Sequence, residues 1–290
     1  MSTRKNISGM LQNTFCHIPG IGLKTELSLW KSGFTDWQTF LLRCGPAAKV
    51  PRKEFIRRAV GNSIRHLEAR NTAYFTAALP SHQHWRLFSS FRSKTAYIDI
   101  ETTGLDFICE ITTIALYDGF TIRHYVNGQN LEDFVDDISA YDLLITYNGK
   151  CFDIPFLETF FNIRLNQAHI DLRYVLRRLG YSGGLKSCER QLGIDRGELT
   201  GIDGFFAVRL WEDYVWRKNE YALETLLRYN IEDVVNLEKL MIMAFNRNLQ
   251  QTPFTKHLFI AEPDPITIPF TVHEPTVERL MAANRLYGER

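Results

Sequence analysis

Three short β-prone runs between residues 95 and 128 place the strongest restriction on how this 290-residue chain can fold. They read TAYIDI, ITTIALYDG and TIRHYVNG, and turn residues separate them. Runs of β-branched and aromatic residues divided by short turns predict a three-stranded meander. DLLITYNG and AHIDL predict two more strands. These alternate with two predicted helices, NLEDFVDDISAY and FDIPFLETFF, and Asn130 is the predicted N-cap of the first helix. This order predicts an α/β fold with a mixed sheet flanked by helices.

The chain on either side of these strands has mainly helical sequence patterns. Candidate helices near the N-terminus cover residues 23–33, 35–43 and 51–79, the last with a predicted break at Gly61-Asn62-Ser63. Beyond Leu172 the chain reads as helical as far as Asn248, with loops around GYSGG and DRGELTGIDG. We therefore expect a small helical module over residues 1–90, an α/β domain over residues 93–248, and a proline-punctuated extension over residues 249–290 that wraps over the surface.

Charge is distributed unevenly along the chain. Residues 1–92 carry 14 Lys and Arg against 4 Asp and Glu, a balance of +10, whereas the remaining residues have a balance of −9. Such asymmetry indicates a part that binds a polyanion next to a part that collects cations, although charge clusters are more often only solvated surface. The five cysteines include no C-x-x-C pair, which argues against a disulfide framework or a cysteine zinc site. Without an apolar signal-peptide core or a membrane-spanning run, the expected location is cytoplasmic.

The first strand carries two acids, Asp99 and Glu101, in the run AYIDIETTGL. Side chains at i and i+2 of a strand point to the same face, so both carboxylates project together. Adjacent carboxylates repel each other unless one is protonated or a cation lies between them. Mg²⁺ prefers such oxygen ligands. A single D-x-E pattern is a weak signal, because chance alone supplies matches.

Two further acids strengthen this interpretation. Asp153 in TYNGKCFDIPFL lies near the start of a predicted helix, just after a strand and five residues past Asn148. Asp233 in RYNIEDVVNLEKLM lies on a predicted helix, and Tyr229 precedes it by one turn on the same face. Each residue has a plain structural alternative: Asp153 as a helix cap, Asn148 as a turn residue, Tyr229 as a core aromatic. Their common order on these element types favours a functional site.

The motifs DIETTGL, YNGKCFD and YNIED resemble the three exonuclease motifs of the DEDD superfamily of ribonuclease H-like 3′–5′ exonucleases. Tyrosine four residues before the last aspartate is typical of the DEDDy branch. The resemblance spans residues 95–245, and HWRLFSSF together with GGLKSCERQLGI is most similar to the YprB-like predicted exonucleases. It implies a five-stranded sheet in the order 3-2-1-4-5 with helices on both faces.

The resemblance also implies residue roles and cofactors. Four carboxylates would hold two Mg²⁺ or Mn²⁺ ions about 4 Å apart: Asp99, Glu101, Asp153 and Asp233. Tyr229 would orient the attacking water. The backbone of Thr102, Thr103 and Gly104 would receive the terminal nucleotide, with Leu105 against its base, and Asn148 would contact the nucleic acid. The implied products are nucleoside 5′-monophosphates released from single-stranded 3′ ends of DNA or RNA.

The basic N-terminal part contains Pro19-Gly20-Ile21-Gly22 at the start of a predicted helix, with Lys24 in its first turn. Glycine permits close backbone approach, and free N–H groups at a helix start bind phosphate. This stretch resembles a helix-hairpin-helix motif, which binds nucleic-acid backbones. Arg57, Arg58 and Arg65 could extend that surface. The alternatives are a helical module that packs on another part of the protein and a solvated helix face.

Other readings remain open. The same chemistry could serve a ribonuclease H-like endonuclease on structured substrates, and a non-catalytic nucleic-acid-binding adaptor would need no metal. The eight histidines form no recognisable ligand set, so we interpret them as structural. Asp171 in HIDL is interpreted as a helix N-cap rather than as a further ligand. Nothing in the sequence indicates a protein partner or a membrane.

Overall fold

The computed structural model describes residues 9–104, 106, 109–199 and 201–288. Its sheet has five strands: β1 (Thr95–Thr102), β2 (Ile111–Tyr117), β3 (Ile122–Val126), β4 (Leu143–Thr146) and β5 (Ala168–Asp171). The spatial order is β3-β2-β1-β4-β5. The pairs β1–β2 and β2–β3 are antiparallel, as expected for a meander, whereas β1–β4 and β4–β5 are parallel. The predicted fold class and strand order are confirmed.

Helices surround the sheet and form the N-terminal part. Their bounds are α1 (Leu23–Lys31), α2 (Trp37–Arg43), α3 (Lys53–Glu68), α4 (Thr72–Ala78), α5 (Phe88–Phe91), α6 (Asp133–Ile138), α7 (Asp153–Phe161), α8 (Leu172–Arg178), α9 (Leu185–Leu192), α10 (Gly204–Arg217), α11 (Glu220–Leu249), α12 (Thr255–Leu258) and α13 (Glu274–Gly288). Short 3-10 turns precede β1 and include Ser81–Leu87 and Arg92–Lys94. No helix within the described ranges combines the length and apolarity needed to cross a membrane.

The predicted break at Gly61-Asn62-Ser63 was wrong, because α3 runs through it. A glycine in a helix interior costs only about 1 kcal/mol, which packing can offset. Ser63 is buried, and its Oγ donates to Ala59 O at 2.9 Å. The helix instead ends near Arg70, which has a left-handed backbone with φ of 51°. Asn71 then caps α4 by accepting from Tyr74 N at 3.1 Å.

Asn130 is not the N-cap of α6, which begins later than predicted. Its Oδ1 accepts from Val126 N at 2.9 Å, and its Nδ2 donates to His124 O at 3.1 Å. The side chain therefore closes the turn after β3 and is not available to the helix. α6 begins at Asp133 and ends at Ile138.

Two apolar layers cover the two faces of the sheet. Ile98 and Ile100 of β1 pack on one face with Phe134 of α6 and Leu157 of α7. Tyr97 points to the opposite face, where the packing includes the long helix α11. Because side chains alternate along a strand, Asp99 and Glu101 share the face of Tyr97 and lie under α11.

The N-terminal helices join the core on the α11 side of the sheet. Trp37, Phe40 and Phe75 are buried in the same apolar cluster as Tyr97. A buried ion pair crosses this region, with Arg86 Nη2 2.9 Å from Glu26 Oε2 and side chains only 3% and 1% exposed. Glu26 Oε1 also accepts from Phe15 N at 2.6 Å. The start of the chain is thus tied to the segment that leads into β1.

Candidate active site

The last residues of β1 place two acids at the edge of the α11 layer. Asp99 and Glu101 lie opposite Ala115 and Thr113 of β2, and the register shifts directly after Glu101. The shift ends the regular pairing, as a bulge does, so the strand re-aims its backbone at this point. Glu101 is buried, and Asp99 is half-buried.

Helix α11 brings the third acid to them. One carboxylate oxygen each of Asp99, Glu101 and Asp233 can be chosen such that all three lie within 4.8 Å of one another. Asn230 of the same helix donates from Nδ2 to Asp99 Oδ2 at 2.8 Å. Its Oδ1 in turn accepts from Thr113 Oγ1 at 3.1 Å, which fixes the amide orientation. The helix and the strand are therefore joined directly at the acid cluster.

Asp153 approaches the same place from the first turn of α7. Its Oδ1 accepts from the backbone N of Ile100, between the two acids of β1, at 3.3 Å. It is not a member of the group of three within 4.8 Å. Its charge nonetheless contributes to raising the pKa of both Asp99 and Glu101. The structure thus brings all four predicted carboxylates to one region, with Asp153 bonded to the strand.

Burial raises the pKa values of all four carboxyl groups, and repulsion within the cluster raises those of Asp99 and Glu101 further. For Asp99 and Glu101, burial is the largest cause and the charge of Asp233 the next. Burial raises the pKa of Asp153 to about 7, against the opposing effect of its backbone hydrogen bonds. Burial also raises the pKa of Asp233 to about 6, although Arg196 opposes the shift. The cluster therefore carries negative charge at a considerable cost in free energy, which a bound cation would offset.

Two cations from the segment that follows α8 line the cluster. Arg196 forms a hydrogen-bonded ion pair with Asp233 Oδ1 and a second one with Glu189 Oε2 at 2.8 Å. Lys186 Nζ lies 4.5 Å from the ring centroid of Tyr229 and donates to Ile202 O. Burial lowers the pKa of Lys186, and Asp233 opposes that shift.

The donor set suits hard divalent cations. The three grouped ligands are all carboxylates, which are the oxygen donors that Mg²⁺ and Mn²⁺ prefer. Soft ligands such as thiolates are not members of this group. The raised pKa values are a second indication, because a dication between the carboxylates would relieve their repulsion.

A family model described as the RNase_H superfamily matches residues 96–245, which is more than half of the chain. The chain belongs to the RNase_H superfamily. The match begins at the first residues of β1 and ends near the C-terminal end of α11, so it covers the sheet and all four carboxylates of the cluster. No curated protein sequence matches this chain.

Two solved structures are similar to this RNase_H-superfamily protein. One is the family B DNA polymerase from the hyperthermophilic archaeon Pyrobaculum calidifontis, at 16% identity and a TM-score of 0.40, where the similarity covers 58% of this chain and 27% of the polymerase. The other is Brucella melitensis NrnC, at 19% identity and a TM-score of 0.39, with 59% of this chain and 81% of NrnC covered.

Tyr229 is buried beside the cluster, one helical turn before Asp233. Burial raises its pKa above the usual value, and the charges of Asp233, Glu101 and Asp99 raise it further. The side chain is therefore a neutral phenol that keeps its proton. Its ring packs against the guanidinium of Arg196, whose carbon lies 5.4 Å from the ring centroid. Cations on the ring face hold the phenol in place without using its hydroxyl.

The turn after β1 is closed by its own hydrogen bonds. Thr102 Oγ1 donates to Gly104 O at 2.5 Å. Thr103 N donates to Glu110 O at 3.0 Å, so this amide already has a partner. A Cβ atom on Gly104 would lie 2.8 Å from Cys109 Sγ, so a larger residue here would displace that side chain. Leu105, the fourth residue predicted to receive the terminal nucleotide, lies outside the described residues.

Asn148 adopts a left-handed backbone, with φ of 69°, in the loop that leads to Asp153. Its backbone N donates to Asp171 Oδ1 at 2.8 Å, and its side-chain oxygen accepts from Arg173. Asp171 Oδ1 also accepts from Arg173 N at 3.0 Å, which confirms its predicted place as the N-cap of α8. The same carboxylate accepts from Lys150 N at 3.1 Å and so anchors the loop.

The predicted phosphate-binding turn precedes α1. Gly20 has φ of 85°, and Gly22 is the N-cap residue. Because glycine has no side chain, the first N–H groups of α1 have no side-chain cap. Arg52 donates weakly to Pro19 O at 3.4 Å and packs over this turn. Lys24 is exposed in the first turn. Arg57, by contrast, donates to Leu41 O and Cys44 O at 3.0 and 2.7 Å, so it stabilises the end of α2.

Sequence reasoning missed the polar residues around the four acids. Asn230 directly follows Tyr229 in the third motif, and this adjacency was the available signal. Glu189 belongs to GGLKSCERQLGI, which carried part of the family resemblance, and Arg196 lies in the predicted loop DRGELTGIDG, but neither residue was given a role. The contact of Arg196 with Asp233 joins residues 37 positions apart, a separation that helical or strand periodicity does not report.

Proposed function

We propose that this chain is a two-metal-dependent 3′–5′ exonuclease that hydrolyses single-stranded nucleic-acid ends to nucleoside 5′-monophosphates. The observation that carries the proposal is the convergence of Asp99, Glu101 and Asp233 within 4.8 Å, with Asp153 hydrogen-bonded between the first two. A buried carboxylate cluster with raised pKa values is typical of a functional site rather than of a structural one. Membership of the RNase_H superfamily supports this choice.

In this proposal each residue of the cluster has one task. Asp99, Glu101 and Asp233 bind Mg²⁺ or Mn²⁺, and Asp153 completes the set at a second position. When bound, the two ions activate the attacking water and stabilise charge on the scissile phosphate and on the leaving 3′ oxygen. The Tyr229 hydroxyl orients that water by donating or accepting a hydrogen bond. Lys186 and Arg196 contact the face of the ring and leave the hydroxyl available for this.

The substrate contacts are proposed from the turns around the cluster. The segment Thr102-Thr103-Gly104, closed by its internal bonds, receives the terminal nucleotide, and Leu105 contacts its base. Asn148, in a loop anchored by Asp171, contacts the backbone on the other side of Asp153. These assignments place binding beyond the C-terminal ends of the parallel strands β1 and β4, the side of the sheet at which ligands bind in open α/β folds.

The N-terminal helices are proposed as the nucleic-acid-binding module, and residues 93–248 as the exonuclease domain. Gly20 and Gly22 leave the start of α1 without a side-chain cap, so its first N–H groups can meet a phosphate, and Lys24 is exposed beside them. Such contacts bind the backbone without reading the sequence. The extension over residues 249–290 has no proposed role in binding.

The test is digestion of matched 3′-labelled and 5′-labelled single strands, in DNA and in RNA, with Mn²⁺ or with EDTA. Metal-dependent release of mononucleotides from the 3′ end is the expected result. Internal cuts that persist on 3′-blocked strands would favour an endonuclease instead. Intact binding without cleavage of any strand would favour the adaptor interpretation.

A pair of neighbouring substitutions on α11 makes the test specific. Asp233→Asn removes a cluster carboxylate and is expected to abolish cleavage. Glu232→Gln removes the adjacent carboxylate, which pairs with Arg228 outside the cluster, and is expected to keep it. Equal loss in both variants would show that general damage to α11, and not the loss of a ligand, explains the effect.

A further inference from the structure

Arg196 already occupies one oxygen of a proposed metal ligand. Its Nη2 donates to Asp233 Oδ1, and its Nη1 donates to Glu189 Oε2 at 2.8 Å. The side chains of Arg196, Asp233 and Glu189 are only 7%, 6% and 0% exposed. Two carboxylates therefore hold one guanidinium in a site that excludes water, where charge–charge interactions are strong.

The hold on Arg196 is incomplete. Its Nε is buried and has no hydrogen-bond partner among the described residues. It is one of the five N–H donors of the guanidinium, so the two carboxylates leave at least this donor unbonded. A buried donor without a partner carries a desolvation penalty, which weakens the net hold of the site on this side chain.

The other partner, Glu189, is fixed independently of Asp233. Its Oε1 accepts from Asn236 Nδ2 at 3.0 Å, and its backbone lies in α9. Arg196 can therefore release Asp233 and keep its bond to Glu189. The ion pair with Glu189 provides a place for the guanidinium after the release.

A dication and a guanidinium held against the same carboxylate repel each other, because both are positive, so they compete for Asp233. We propose that Arg196 is an internal counter-ion that occupies Asp233 in the metal-free protein and that metal binding displaces it toward Glu189. Arg196 is thus a positioning residue that sets the affinity of the site for its metal. This inference rests on the proposed function, since it takes Asp233 as a metal ligand.

Competition predicts opposite effects for the two partners of the pair. Arg196→Gln removes the competitor, so Mn²⁺ is expected to bind more tightly by about 10- to 100-fold, the range that one hydrogen bond to a charged group spans. Glu189→Gln removes the residue that shares the guanidinium with Asp233, so Arg196 competes more strongly and Mn²⁺ is expected to bind about tenfold more weakly. General damage to the site would weaken binding in both variants.

The experiment is isothermal titration calorimetry of the metal-free 290-residue chain with Mn²⁺ alone, without substrate. The matched control is Arg228→Gln, which removes an arginine from an ion pair with Glu232 on α11. Its partly exposed pair leaves the cluster oxygens untouched, so a change of less than about threefold is expected. The comparison separates loss of a nearby positive charge from loss of the competitor.

Arg196→Gln leaves Glu189 as a buried unpaired charge, so a second variant keeps the test valid if the single variant does not fold. The double variant Glu189→Gln with Arg196→Gln removes both charges and is expected to bind Mn²⁺ more tightly than Glu189→Gln alone. Wild-type or weaker affinity in Arg196→Gln, with native circular dichroism, would overturn the proposal. A wild-type protein that binds no Mn²⁺ would overturn the proposed metal site as well, so the two failures differ.

Discussion

The charge of Asp153 is expected to destabilise the metal-free protein, and Asp153→Asn tests this directly. Burial raises the pKa of Asp153 from 3.8 to about 7. The folded state therefore binds this proton more tightly than the unfolded state, and the free energy of unfolding falls as pH rises from about 4 to about 7 and is then constant. Asparagine has no charge to bury and can keep the bond from Ile100 N.

The size of the effect follows from the shift. About 3 pKa units correspond to at most roughly 4 kcal/mol at pH 8, and to less than half of that at pH 5. Because neighbouring carboxyls share the protons, about half of the difference is a realistic value. At roughly 2 °C per kcal/mol for a chain of this size, Asp153→Asn should raise Tm by about 2–3 °C more at pH 8 than at pH 5.

The assay is thermal unfolding in EDTA at both pH values, monitored by circular dichroism. Glu212→Gln serves as the control, because it removes an exposed acid on α10. Asp153→Asn should also lose cleavage by at least roughly 100-fold while it still binds single strands, because it lacks a proposed metal ligand. An equal Tm change at both pH values, or a lower Tm at pH 8, would refute the argument from buried charge.

Four further predictions follow from other contacts. Tyr229→Phe should lower the cleavage rate by roughly 10- to 100-fold without changing Tm by more than about 2 °C, because only the hydroxyl is lost; an unchanged rate in single-turnover assays would exclude a role for the hydroxyl. Mn²⁺ affinity measured by calorimetry should increase from pH 5 to pH 8, since Asp153 and its neighbours must lose protons to bind the ion, and a flat profile would contradict the raised pKa values. Arg86→Met should destabilise the protein by about 3–5 kcal/mol in urea unfolding, because Glu26 stays buried without its partner, whereas adding Glu26→Gln should recover most of the loss. Lys24→Gln should reduce the slope of log affinity against log salt by about 1, and an unchanged slope would place the start of α1 away from the nucleic acid.

Local signals in the sequence were reliable where tertiary contacts agreed with them. The meander, the loops within the C-terminal helical part and the N-cap at Asp171 are all as predicted. Local signals failed at two positions where other parts of the structure outweighed them. Gly61 remained inside α3 because packing offsets its low helix propensity, and Asn130 turned back to β3 instead of capping α6.

The sequence alone determined that Asp99 and Glu101 share one face of β1, since a strand has a side-chain period of two. It also determined that Tyr229 and Asp233 share one face of a helix, because four residues make about one turn. The tertiary structure alone decided that these two faces meet. It also decided which groups oppose the charge of the cluster, Arg196 on Asp233 and Asn230 on Asp99. These partners lie far apart in the chain, and only packing of β1, α11 and the segment after α9 brings them into contact.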